Sequence, residues 1–497
     1  MQDIKQREMK MQEKRKQTPR REFIKTIPSL RTMWFYKNNG LTTIFPQTER
    51  IKWVVSHKEF EQNKDNLLNQ GRMYDFNMSF FENFKALFRS IDFPPTRLYG
   101  ECENANFTDQ TVNIKNCYLS YVVIRDCENV FYSLSVKEHS INIFNSFMVW
   151  DTCENVYFSK GIIKSFNIFH SKHIVNSSNI WFSTNLIGCS ECILCDNLNS
   201  QSYCIENKQY TQEEYVQKKQ ELLQQKDKFF SRYLQLSDQG NNIWSTNSSG
   251  NCNIECTDIE NGYYNAQVKE WRNLILIGGK ESGERVYDSF LNTPSETDVY
   301  GVFSAWFCSN IYNAYHISGG ANIYYSSFLE NCSHCLWCIG LKNKEFCIFN
   351  RQYSKDDWFT LANQIFQKMD AEWILWLPFP WDVNPFYFND TAAYLIDDSF
   401  TKEEVTKEWY LRRDEEIRVD VPAWAEVIGA KDFANYQWYD AKGEWNINPE
   451  ILKKVIRDEK GNIYRIMPME LSFLQKYGLP LPEIHRLERI KLGFKFK

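Results

Sequence analysis

One short phrase recurs along the chain in a fixed register: Asn, an apolar residue, an aromatic, a variable residue, then Ser. It stands at Asn116–Ser120, Asn129–Ser133, Asn142–Ser146, Asn155–Ser159, Asn167–Ser171 and Asn179–Ser183, with steps between anchors of 13, 13, 13, 12 and 12. Asn104 continues the register one step of twelve backwards, and Glu191 continues it one step of twelve forwards. A second column runs through Asn261, Asn273, Arg285, Asp298, Asn310, Asn322 and His334 in steps of 12, 12, 13, 12, 12 and 12. Helical periodicity does not hold such a register. A fixed period filled with short β-branched and aromatic runs predicts stacked parallel strands wound as a β-solenoid.

Further columns keep the same step. Seven positions after the anchor come Val123, Val136, Val149, Ile162, Ile174 and Leu186, and two before it come mostly Cys or Ser. An Asn anchor fits a turn, because it tolerates the left-handed conformation and its amide can bond the stacked neighbour. The small column fits a tight inward corner. The spacing leaves open whether this period of 12–13 is a whole flattened coil or half of a larger one.

The solenoid pattern occurs twice, and both copies end alike. Cys189, Cys192, Cys195 and Cys204 precede Asn207-Lys-Gln-Tyr210, and Cys332, Cys335, Cys338 and Cys347 precede Asn350-Arg-Gln-Tyr353. Adding 143 maps each cysteine of the first set onto the second. Each set leads into a helix through a capping box, Thr211 with Glu214 and Ser354 with Asp357, where side-chain oxygens satisfy orphan amides. Two readings of the cysteines stand side by side. Four thiols at repeated spacing suit a structural zinc site closing each solenoid, two in all. Three of the four, however, fall in columns filled elsewhere by Ser, Cys or a β-branched residue, where a free thiol packs as a small buried group.

Composition sets bounds. The 497 residues are 16% aromatic with only 20 Gly, ample material for a packed core and too little polarity for a disordered chain. No apolar run approaches the roughly 18–20 residues of a membrane span, and the first residues lack a signal peptide's apolar stretch, so a cytoplasmic protein without membrane contact is expected. All fifteen Cys lie between positions 102 and 347, and an odd number without a secretion signal argues against a disulfide framework. The net charge of −5 hides a basic start. Lys14, Arg15, Lys16, Arg20 and Arg21 are candidates for phosphate contact, or a solvated tail.

Catalytic motifs are sparse. No phosphate-binding glycine loop, nucleophile elbow or His-Glu-x-x-His pattern occurs, and no catalytic residue is assigned. Asp126, Glu138 and Asp151 fall near the same turn of successive rungs, with no basic partner expected beside them. Such a row could bind a cation or act as acid and base, as in polysaccharide-active β-helix enzymes, or form a solvated stripe.

The flanks add a resemblance. The Phe80-Phe81…Phe84 segment, the paired Cys clusters with their Asn-Lys-Gln-Tyr or Asn-Arg-Gln-Tyr ends, Asn389-Asp-Thr-Ala and Leu479-Pro-Leu-Pro482 together resemble an uncharacterised cysteine-rich repeat family of candidate-phyla bacteria with small genomes. The resemblance implies zinc-ribbon-like segments at both ends. This chain departs there, with Thr18-Pro-Arg-Arg21 and Asp458-Glu-Lys-Gly461 where cysteine pairs are expected, so its terminal ribbons must hold without zinc. The family implies no activity.

The expected organisation is mainly β, with two tandem parallel β-solenoid lobes and small α+β flanks. A basic tail (1–22) precedes an N-terminal α+β segment (23–100) with a helix over 79–90. Solenoid 101–210, capping helix 211–236, linker 237–250, solenoid 251–353 and capping helix 354–370 follow. An irregular connector (371–450) and a C-terminal hairpin, helix and basic tail (451–497) complete the chain. The function expected is a non-enzymatic scaffold with a protein partner. The alternatives are a nucleic-acid- or ribosome-associated protein acting through the basic ends, and a polysaccharide-active enzyme.

Overall fold

A computed structural model of the chain describes residues 24, 33–51, 53–224, 230–237, 239–260, 262–265, 269–272, 275–277, 303–312, 315–375, 383–414 and 421–494. Its two compact units are each discontinuous in sequence, residues 98–240 with 414–497 and residues 1–97 with 241–413. Among the described residues the helices, in chain order, are α1 (His57–Asn63), α2 (Phe80–Phe88), α3 (Gln212–Leu223), α4 (Phe230–Gln235), α5 (Lys355–Ala371), α6 (Ala392–Ile396), α7 (Lys402–Lys407), α8 (Pro468–Tyr477) and α9 (Arg486–Gly493).

In the unit holding residues 98–240, a parallel β-solenoid carries a 14-stranded sheet. Each coil gives two four-residue strands, such as Ile141–Phe144 and Phe147–Trp150. Each strand pairs with its counterpart one repeat further on, so that Ile143 meets Val156, Val149 meets Ile162 and Ile168 meets Ile180. The period of 12–13 is therefore one whole coil.

Backbone conformation explains how so few residues close a coil. Every third residue is left-handed, with Asn155, Phe158, Gly161 and Lys164, then Asn167, His170, His173 and Asn176, at φ between 47° and 70°. Four corners divide the coil into four sides of three residues. The residue after each corner is buried, giving the sets Val156, Ser159, Ile162, Ser165 and Ile168, Ser171, Ile174, Ser177. The small column thus lies inside, one residue past the corner rather than at it. The longer coils absorb their additional residue at a single corner through two successive left-handed residues, Glu138/His139 and Asp151/Thr152.

A left-handed residue other than glycine is strained by about 1–3 kcal/mol, and hydrogen bonds between coils offset that strain. The corner amide of Phe158 donates back to Phe144 O at 3.0 Å, while the strand amide of Lys160 donates forward to Ser171 O at 3.0 Å. Inward amides are satisfied by serine. Ser171 N donates to Ser159 Oγ and Ser183 N to Ser171 Oγ, each at 3.1 Å. At the anchor corner the amide ladder runs from Asn104 to Asn179, each Nδ2 donating to the next Oδ1 at 2.8–3.3 Å.

Helices cover part of this solenoid. Phe473 of α8 packs on Phe144 with ring centroids 4.5 Å apart, and Tyr477 packs on Phe169 at 5.2 Å. Tyr233 of α4 packs on Phe158 at 4.9 Å, and Phe494 beyond α9 packs on Phe147 at 5.2 Å. Gly493 must be glycine, because a Cβ there would stand 2.3 Å from Phe147 Cδ2. Under α8 and α9, Arg489 Nη1 meets Glu470 Oε1 at 2.9 Å with both side chains buried, and Asn145 Nδ2 donates to the same oxygen at 3.1 Å. The hairpin Val455–Tyr464 turns around Asp458, whose carboxylate accepts from Asn462 N at 2.8 Å and from His485 N at 3.1 Å. Hydrogen bonds to one buried carboxylate hold this turn.

The other unit contains a second parallel stack with the same step, Ile311 over Ile323 over Cys335 over Cys347. Its parallel bridging starts at Ile243 and Thr246, paired with Ile254 and Thr257. The stretch expected as a linker over 237–250 therefore already belongs in part to the first rung, because Ile243 N donates to Asn253 O at 2.7 Å. Helix α2, capped by Ser79 and Glu82, places Phe80 on Trp337 at 4.3 Å and on Tyr325 at 5.4 Å. From α5, Phe366 packs on Tyr324 at 5.5 Å. Arg413 forms a bidentate pair with Asp390, which also accepts from Tyr36 Oη at 2.6 Å.

Candidate functional site

Both cysteine sets sit at the last rungs before a helix. In the unit of residues 98–240, Cys189, Cys192 and Cys195 take three successive inward positions of one coil. Cys204 stacks on Cys192 in the next coil. The chain then folds back antiparallel, Ile205 against Lys208, and enters α3 at its N-cap Thr211. In the other unit Cys347 stacks on Cys335, Ile348 folds back against Arg351, and α5 begins at Ser354. All eight thiols, Cys189, Cys192, Cys195, Cys204, Cys332, Cys335, Cys338 and Cys347, are buried and free.

Each of these sulfurs faces a carbonyl of its own coil, as Cys192 does toward Ser190 O at 3.4 Å and Cys335 toward Ser333 O at 3.4 Å. Isolated inward cysteines do the same, Cys153 reaching Trp150 O at 3.1 Å. In this thiol state no group of three or more His, Cys, Asp or Glu among the described residues is arranged to hold a metal ion. The clusters nevertheless differ electrostatically from the lone thiols. Burial pushes Cys117, Cys127 and Cys153 up to about 12. Within the first cluster, hydrogen bonding from Cys192 lowers Cys189 to about 6 and lowers Cys195, while Cys192 itself is raised. The second cluster repeats this only in part: Cys335 lowers Cys332 and is itself raised well above its usual range, but burial raises Cys338, the counterpart of Cys195. His334, counterpart of Glu191, stacks on Phe346 at 4.7 Å and contacts Asn322 through Nε2 at 3.2 Å, away from any ligand role.

The carboxylate row has the basic partners that its sequence did not suggest. Glu138 Oε1 lies 2.7 Å from Arg125 Nη1, Asp151 lies 3.3 Å from Lys164 Nζ, and Asp126 lies 3.8 Å from His139 Nδ1. The additional corner residue of the longer coils brings these charges side by side. Glu138 and Asp151, each paired with a basic side chain of a neighbouring coil, are poorly placed to attract a cation or to share one proton.

The side of the solenoid bearing the Asn ladder is open. Its outward column runs through Glu103, Lys115, Glu128, Ile141, Glu154, Phe166 and Ser178, with Ile141 38% and Phe166 50% exposed. Sequence reasoning missed the Glu470–Arg489–Asn145 cluster, which joins segments far apart in the chain. Nothing in the local pattern of either segment signals it. The basic candidates Lys14, Arg15, Lys16, Arg20 and Arg21 lie outside the described residues. No helix among the described residues is long and apolar enough to cross a membrane. Comparison with family models, with curated proteins and with solved structures finds no match.

Proposed function

We propose that this protein is a non-enzymatic scaffold. In this reading two tandem solenoid lobes, each finished by a cysteine coil and a capping helix, present rigid sides to a protein partner. Kinship with the cysteine-rich family of small-genome bacteria belongs to the same proposal, as does a reducing, cytoplasmic location suited to the free thiols. The observation that carries the reading is the open ladder side of the first solenoid. It combines a stiff array at strand spacing with exposed Ile141 and Phe166, and a rigid, partly apolar surface loses little conformational entropy on binding. Among its outward charges Glu103, Glu128 and Glu154 outnumber Lys115, which disfavours a phosphate backbone and favours a protein with an apolar or basic patch.

The test is affinity capture with the intact chain over stepped salt, against the variant Ile141→Glu/Phe166→Glu. A protein partner that survives high salt, binds directly when purified and is lost in the variant supports the reading. Bound nucleic acid that elutes steeply with salt, and is lost when the five N-terminal basic residues are neutralised, would replace it with the nucleic-acid alternative.

A further inference from the structure

The cysteine constellations invite a question that their packing does not answer. In the five coils directly below, the position after the Asn anchor is held by a branched apolar residue, Val130, Ile143, Val156, Ile168 and Ile180, each at 0% exposure, while at the far end of the column stand Ala105 and a lone Cys117. At the end of the solenoid that column switches to Cys192 and then Cys204. Each switch gives up buried methyl groups, which costs about 1 kcal/mol or more of core stability. The same switch recurs in the other unit, where Ile311 and Ile323 are followed by Cys335 and Cys347. A column that loses apolar volume twice, at the same place in two units, calls for a compensating interaction.

The neighbouring positions point to its chemistry. Cys189 and Cys195 stand where the coil below has Ser177 and Ser183, whose hydroxyls they keep as partners through their own amides at 3.0 Å. Their thiols, together with that of Cys204, lie against Cys192. Those of Cys332, Cys338 and Cys347 lie against Cys335. Asn207 N also donates to Cys195 Sγ at 3.5 Å, the kind of contact that stabilises a thiolate.

We propose that each constellation takes up one divalent, thiophilic cation of the zinc class, held by Cys189, Cys192, Cys195 and Cys204 in one unit and by Cys332, Cys335, Cys338 and Cys347 in the other. Binding replaces four S–H bonds with four metal–sulfur bonds and releases four protons to solvent. The sulfurs turn from the carbonyls of their own coil toward the coil centre, and the cation ties the last coil to the strand that folds back into the capping helix. This proposal is independent of the scaffold reading, since it concerns how the solenoid ends are closed and not what its sides bind.

Cobalt(II) alone is the probe, titrated into the intact, reduced, metal-stripped chain. The expected result is about two ions per chain, with the intense visible bands and sulfur-to-metal charge transfer of tetrahedral thiolate sites. The variant Cys189→Ser/Cys195→Ser restores the residues of the coil below, so packing alone predicts a folded protein with unchanged cobalt uptake. The proposal predicts a protein with the circular dichroism of the parent that binds one ion fewer. Cys332→Ser/Cys338→Ser should remove the other. Absence of charge transfer in the parent, or uptake undiminished in both variants, would overturn it and leave the thiols as packing groups.

Discussion

Individual residues carry an unusual conformational load in this chain. Left-handed φ recurs at every third position, at Asn142, Asn145 and Met148 as much as at glycine. Asn is suited to that region, β-branched residues are not. At Asn142 the side chain also bridges Asn129 and Asn155. Asn142→Gly keeps the corner but loses both ladder bonds and should cost about 1–2 kcal/mol, whereas Asn142→Val loses them and adds corner strain and should cost at least about 1 kcal/mol more, read from denaturant midpoints; equal effects would contradict a left-handed corner. A second prediction concerns His170, stacked on Phe182 at 4.8 Å, whose burial lowers it from 6.5 to about 3. The folded state then binds fewer protons than the unfolded one between those values. Stability should rise with pH across that window, by up to about 1.4 kcal/mol per unit. His170→Phe, matching Phe158 and Phe182 in the same column, should flatten the slope between pH 4 and 6; what remains belongs in part to His485, lowered to about 4. The residue scale was half legible. The inward columns were visible in the sequence, yet their step of three was obscured by the strand habit of alternating every two residues. Corners occupied by Phe158, Met148 or Leu194 carry no turn signal at all.

At the level of elements, short-range chemistry was readable and long-range packing was not. The capping box at Thr211 and the cap at Ser354 open α3 and α5 where their sequences place them, although Ser354 makes only the side-chain half of the expected box, and a further box at Ser79 opens α2 within the expected 79–90. Thr211→Ala should weaken its helix by about 1 kcal/mol, seen as faster amide exchange over the first turn of α3. In contrast, α8 was legible as the helix Pro468–Tyr477 but not as the cover of the aromatic column at Phe144 and Phe169, because each partner is locally an ordinary apolar position. The lock is Glu470 with Arg489. Glu470→Ala would leave a buried, unpaired guanidinium and should cost about 3–5 kcal/mol, with exchange in α8 and α9 rising before that of the solenoid strands. Uniform loss across the unit would instead mean that these helices and the solenoid unfold as one.

Across the whole molecule the sequence order of the segments differs from their grouping. The N-terminal segment clusters with the second solenoid pattern and residues 414–497 with the first, an association that no composition shift or linker announces. Solenoid stability is close to a sum of rungs and their interfaces, so the cysteine coils, as terminal rungs, bear on how each stack ends. The candidate site was legible as spacing, the eight cysteines related by 143. Its burial, its sulfur contacts and the basic partners of the carboxylate row depend on the coil geometry, and that in turn depends on whether one repeat makes a whole coil or half of one. A crystal structure resolving backbone dihedrals decides this most directly. It should show parallel partners a single repeat apart on both strands of each coil, Ile143 on Val156 and Val149 on Ile162, with positive φ at Phe158, His170 and Phe182. Partners displaced by twice that interval, or negative φ at those three residues, would contradict the three-residue-sided coil on which the rest is built.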